Sequence, residues 1–195
     1  MIINGEWKNK IRTMRANGDN KGAKRELRKA KMSGYEKTTL KNKVFIDYCL
    51  AHYSYVENNY DLTNRYLSYI EDIFSDERNR EEMNLEYCNY LWLNVNNNYE
   101  KMNIDEIIKN MTLVYNYYSS INKNDIALTA MENIFRFEGK HDRILESLEK
   151  LIQCKELSDW NFVESILNDC EAISHSLYIN ALNIVNKYKI NIYVV

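Results

Sequence analysis

Cys49 and His52 stand three residues apart in a stretch with helical patterning, so their side chains can meet on one face. A thiol beside an imidazole is half of a metal site or an activated nucleophile. A zinc site would need two further ligands, and no second Cys-x-x-His or Cys-x-x-Cys occurs. The other histidines, His141 and His175, fall at a turn and after a break. The expected reading is a packed Cys49 beside a partly exposed His52, with no metal ligand set and no cofactor. The carboxylate pairs Glu71/Asp72, Glu81/Glu82 and Asp105/Glu106 are sequence neighbours. On a helix such neighbours point about 100° apart, so they read as solvated faces rather than as a convergent acid and base. His-Glu-x-x-His, Gly-x-Ser-x-Gly and Gly-Lys-Ser/Thr are all missing from the sequence. Only 5 glycines are present, which leaves no glycine-rich phosphate loop. The chain is expected to be non-catalytic.

Cationic side chains form the strongest polar pattern. Lys21, Lys24, Arg25, Arg28, Lys29 and Lys31 crowd one short segment, while Ala23, Leu27 and Ala30 fill its other side. Residues 1–43 hold 13 Lys/Arg against 4 acids, a net charge of +9. The remaining residues hold 13 basic and 24 acidic side chains, a net of −11, so the chain totals −2. A basic end of this kind can contact nucleic-acid phosphates, with a steep salt dependence. It can equally dock on acidic helices of its own chain, or of a second copy as a homodimer. The solvated or self-docking reading is preferred, because no aromatics alternate with the cations to stack bases.

These residues need elements to carry them, and helical periodicity dominates. Leu62, Tyr66, Leu67, Tyr69, Ile70 and Ile73 share a side, as do Ile144, Leu145, Leu148, Leu151 and Ile152. Asn103-x-x-Glu106 resembles a capping box ahead of Ile104, Ile107, Ile108 and Met111. There are 0 prolines, so Gly and Asn must punctuate the chain. Breaks fall at Asn17–Asn20, Ser33-Gly34, Asn58-Asn59, Asn96–Asn98, Asn122–Asn124 and Gly139-Lys140. Helices are expected over 6–16, 20–32, 37–57, 60–75, 79–95, 103–120, 124–138, 141–154, 159–172 and 174–189. That is an all-α chain of about five antiparallel pairs. The tail, 190–195, is short and β-prone.

The intra-pair turns recur about every 40 residues. Gly18-Asp19-Asn20-Lys21-Gly22-Ala23 precedes Leu27 and Ala30. Asn58-Asn59-Tyr60-Asp61-Leu62-Thr63 precedes Leu67 and Ile70. Gly139-Lys140-His141-Asp142-Arg143-Ile144 precedes Leu148 and Leu151. A helix pair repeated at this period reads as an α-solenoid, forming a single domain over 1–195. Within it, 1–43 forms a basic capping pair and 44–189 an acidic body.

The pattern resembles the tetratricopeptide repeat. Trp7 falls at that family's first-helix Trp position, Ala23, Leu27 and Ala30 at its second-helix positions, and Leu128, Met131, Phe135 and Gly139 at further ones. The closing Pro is missing, and the period is longer than the family's. The resemblance implies a right-handed superhelix whose first helices line a concave groove. Carried over by position, Tyr48, His52 and Tyr55 would face it, with Asn94, Thr129, Asn133 and Arg136. Asn can clamp a peptide backbone with donor and acceptor together, and Tyr gives contact area at low entropic cost. Irregular Asn/Tyr/Ile-rich helix pairs also resemble the peptide-receptor domains of Rap proteins and arbitrium receptors from Gram-positive bacteria and their phages. That resemblance implies a regulator that binds a short peptide or partner protein. Two other readings stand beside it: a nucleic-acid-associated regulator using the basic helices, and a phage or mobile-element inhibitor that blocks a host or defence protein.

The N-terminus lacks the apolar stretch of a signal peptide, and no run approaches the roughly 18 apolar residues of a membrane span. A cytoplasmic location is expected, with no membrane partner. Cys49, Cys88, Cys154 and Cys170 then read as buried free thiols.

Overall fold

A computed structural model describes residues 3–153 and 161–188. Among the described residues the chain is all-helical, with no strand. The β-prone tail 190–195 and Cys154 lie outside the described residues. Helices α1 (Gly5–Ala16), α2 (Asn20–Ser33), α3 (Leu40–Val56), α4 (Tyr60–Phe74), α5 (Glu77–Glu82) and α6 (Asn84–Asn98) make the first part. Helices α7 (Ile104–Ser120), α8 (Asn124–Phe137), α9 (His141–Ile152), α10 (Asn161–Ile173) and α11 (His175–Lys187) make the second. The chain divides into two compact units, residues 1–98 and 99–195.

Four turns close in the same way. Gly18, Asn58, Asn122 and Gly139 take positive φ of 76°, 56°, 58° and 69°. In each, the left-handed residue donates its N–H three residues back, as Gly18 does to Arg15 (3.0 Å) and Asn58 to Tyr55 (2.8 Å). The next residue donates five back: Asp19 to Met14, Asn59 to Ser54, Lys123 to Tyr118 and Lys140 to Phe135. This is the Schellman closure, which satisfies the last carbonyls of a helix. That next residue also caps the following helix. Asp19 and Asn59 do so with their side chains, accepting from Gly22 and Leu62. Asn103 caps α7 through the Asp105 N–H (2.9 Å), so its bond goes one residue earlier than a capping box would place it.

In the first unit α1 packs on α2, α2 on α3, α3 on α4, and α6 on both α3 and α4. Trp7, Ile11, Ala23, Leu27, Ala30, Ile46 and Leu50 form its core. The second unit has its own core of Ile144, Leu148, Leu151, Val163, Ile166, Leu167 and Cys170, with Phe135 and Ala181 beside them. Each large aliphatic side chain removed from water contributes about 1.5–3 kcal/mol. The turn-following positions of the sequence repeat are all buried. Ala23, Leu27, Ala30, Thr63, Leu67, Ile70, Ile144, Leu148 and Leu151 each expose 3% or less.

Two breaks differ from expectation. The helix expected over 79–95 is two helices, broken at Met83, whose backbone leaves the helical region (φ −121°, ψ 43°) while its side chain is buried. The break expected at Asn96–Asn98 does not occur, because α6 runs to Asn98. The reason is tertiary. Asn64 on α4 accepts hydrogen bonds from the Asn97 and Asn98 amides (2.8 and 2.7 Å), and Asn94 accepts from Asn98 (2.8 Å). Side chains engaged this way no longer compete for the backbone, which is how Asn usually ends helices.

Candidate binding site

The first unit holds a pocket of about 180 Å³ where α1, α3 and α6 meet. Arg12 and Arg15 come from α1, Val44, Phe45, Tyr48 and Cys49 from α3, and Leu85, Glu86 and Asn89 from α6. The elements explain the placement. Trp7 and Ile11 anchor α1 in the core, which turns Arg12 and Arg15 toward α3. Thr39 caps α3 by accepting from the Asn42 N–H (3.3 Å), and Val44, Ile46, Cys49 and Leu50 fix its buried face.

The guanidiniums are held by aromatic rings. Arg12 lies 5.7 Å from the Phe45 centroid and Arg15 5.5 Å from that of Tyr53. Lys8 also stands over Phe45, at 5.2 Å. Among the described residues neither Arg12 nor Arg15 pairs with a carboxylate. Arg12 donates to the Asn9 amide oxygen (3.1 Å) and Arg15 to the Cys49 sulfur (3.7 Å). The one acid lining the pocket, Glu86, pairs with Lys41 (3.0 Å). Cation therefore exceeds anion here, and neighbouring groups register it. The Lys8 ammonium is held below its ordinary range by burial and then by repulsion from Lys41, with Glu86 opposing and Arg12 adding. His52 is lowered by burial and then by Arg15.

The site does not assemble nucleophilic chemistry. Burial raises the Cys49 thiol to about 11 despite Arg15, so the thiolate is scarce at neutral pH. No hydrogen bond joins Cys49 to His52, whose ring instead lies 6.3 Å from that of Tyr48. Among the described residues no group of three or more His, Cys, Asp and Glu side chains could hold a metal ion.

The residues expected to line a groove fall in both units. In the first, Tyr48 lines the pocket, His52 neighbours it, Tyr55 lies 6.1 Å from Tyr60 by ring centroids, and Asn94 joins the asparagine ladder. In the second, Thr129 and Asn133 are buried on α8. Thr129 donates to the Asp125 carbonyl (3.0 Å) and Asn133 to the Thr129 carbonyl (3.0 Å). Arg136 bridges Asn133 (2.7 Å) and Asp169 of α10 (3.0 Å). Beside them Glu132 is fully buried, with neither carboxylate oxygen hydrogen-bonded. Burial, then Asp169, pushes its carboxyl up to about 8, against Arg136.

The basic stripe is partly spent inside the chain. Lys24 pairs with Glu57, Lys29 with Glu26 (3.1 Å) and Lys31 with Asp47. Lys21, Arg25 and Arg28 are exposed and have no carboxylate partner among the described residues.

Sequence reasoning passed over Arg12 and Arg15, because two cations on a short amphipathic helix look like a solvated face. Asp47 and Glu132 carried a signal, since each interrupts an otherwise apolar run. Among the described residues no helix is long and apolar enough to cross a membrane. No family model, curated protein or solved structure matches the chain.

Proposed function

We propose that the protein is a non-catalytic cytoplasmic regulator that binds a peptide or a segment of a partner protein. Its helix pairs would stack as a tetratricopeptide-like, right-handed solenoid, with the first helices forming the binding face. One observation carries this reading: α1, α3 and α6 bring two arginines, without carboxylate partners among the described residues, beside Tyr48 and an apolar floor. Such a pocket, apolar with a few directed polar groups, is the usual form of a ligand site. The test is capture from nuclease-treated source-cell lysate at high salt, using wild type and Tyr48→Ala. A stoichiometric partner held by wild type and lost by the variant supports the reading. Absence of any stoichiometric partner overturns it, and equal capture by both proteins removes Tyr48 from the binding face.

A second reading rests on Lys21, Arg25 and Arg28, which could contact nucleic-acid phosphates. Binding through them would fall steeply with salt and disappear when Arg25 and Arg28 become Glu. Recovery of nucleic acid by wild type but not by that variant would favour it.

A further inference from the structure

We propose that the pocket between α1, α3 and α6 takes a carboxylate borne on an apolar group of a peptide ligand, held between the guanidiniums of Arg12 and Arg15. This deepens the peptide-binding reading and rests on it. A guanidinium presents five donors in a planar fork suited to a carboxylate. Here two such forks face one cavity, and their hydrogen bonds go to a neutral amide and a thiol. The thiol contact, at 3.7 Å, is a weak one. The Arg12 guanidinium lies over the Phe45 ring and that of Arg15 over the Tyr53 ring, contacts that use the ring faces and consume no hydrogen-bond donor.

The local charge balance points the same way. Lys8, Arg12, Arg15 and Lys41 gather around Phe45, Tyr48 and Glu86, and the one lining acid is already paired. An entering anion would relieve that excess. The floor then selects what carries the anion. Val44, Phe45 and Leu85 line the same cavity, whose volume of about 180 Å³ exceeds that of a site able to hold benzene, about 150 Å³. A phosphodiester would satisfy the arginines and leave this floor wet. An acid on an apolar stem satisfies both. In a peptide, that acid can be the chain's own terminus after an apolar residue, or an Asp or Glu flanked by one.

The experiment titrates the full-length, 15N-labelled protein with 3-phenylpropionate, its neutral amide 3-phenylpropanamide, and inorganic phosphate at matched ionic strength. Saturable shifts of the Val44–Cys49 and Leu85–Asn89 backbone amides are expected with the acid, and at least tenfold weaker binding with the amide. Arg12→Gln/Arg15→Gln should reduce acid affinity to that of the amide. Arg12→Lys/Arg15→Lys, which keeps charge but loses the fork, should fall between and covers a folding failure of the first variant. Equal binding of acid and amide, acid binding undiminished in both variants, phosphate shifting these amides as strongly as the acid, or no saturable shift would each overturn the proposal. Two hexapeptides ending in Phe, one with a free terminus and one amidated but carrying an internal Glu, separate the two sources of the carboxylate. A partner captured equally by wild type and Arg12→Gln/Arg15→Gln would sink this pocket while leaving the peptide-binding reading intact. Fragment binding without any captured partner would do the reverse.

Discussion

The Lys31 ammonium and the Asp47 carboxylate meet inside a ring of tyrosines. Asp47 is fully buried on α3 and also accepts from the Tyr35 hydroxyl. Lys31, from α2, lies 4.4, 5.3 and 4.0 Å from the ring centroids of Tyr35, Tyr66 and Tyr69. One pair thus ties α2, α3 and α4 together. Burial raises the Asp47 carboxyl, while Lys31 and Tyr35 oppose the rise.

Removing one partner should cost more than removing both. Lys31→Met strands a buried acid, and loss of one member of a buried pair costs about 3–5 kcal/mol. Lys31 keeps a quarter of its side chain exposed, so about 2–3 kcal/mol is expected. The double variant Lys31→Met/Asp47→Leu should recover most of that. Urea midpoints give the comparison, and a double variant as unstable as the sum of the singles would refute the coupling.

Glu132 makes stability fall as pH rises. Its folded carboxyl titrates near 8, above its ordinary value of 4.5, so the folded state holds the extra proton between those values. Stability should fall there by on the order of 1 kcal/mol per pH unit, and this contribution should flatten below 4.5 and above 8. Glu132→Gln should lose this slope, whatever its absolute stability. Coincident slopes in urea unfolding at pH 5, 6.5 and 8 would show that Glu132 ionises normally.

Two glycine-to-alanine changes should act in opposite directions. A Cβ at Gly22 would collide with the Asp19 carboxylate, the side chain that caps α2, and with Met14. Gly22→Ala should therefore cost about 1 kcal/mol, the typical worth of a cap, despite alanine's helix preference. At Gly5 in the first turn of α1 a Cβ meets nothing within 4 Å. Gly5→Ala should add about 0.4–1 kcal/mol. Thermal melts of the two variants should move apart, and movement in the same direction would contradict the geometry.

Asn64→Ala should loosen the end of α6. It removes the acceptor shared by the Asn97 and Asn98 amides. Hydrogen exchange at residues 95–98 should quicken several-fold, with α3 unchanged. Unchanged exchange would mean that α6 holds its last turn alone.

Apolar spacing and Gly/Asn punctuation marked the hairpins at Gly18, Asn58 and Gly139, because a left-handed closure is a local property. The continuation of α6 through three asparagines was not legible, since its cause, Asn64, lies more than thirty residues away. The break at Met83 escaped for a related reason: a buried methionine reads as helix interior. The pocket position of Arg12 and Arg15 needs three helices in place, because what distinguishes them is the lack of a carboxylate partner among the described residues, which no local pattern encodes.

The Schellman closures also bear on how the chain is made. Each turn is sealed by backbone bonds spanning no more than five residues, so loop closure costs little entropy. A helical hairpin can then form soon after it leaves the ribosome, before later helices exist. Contacts this local are those of rapidly folding chains. Nascent segments would bury their apolar faces early, which shortens the time they are open to aggregation.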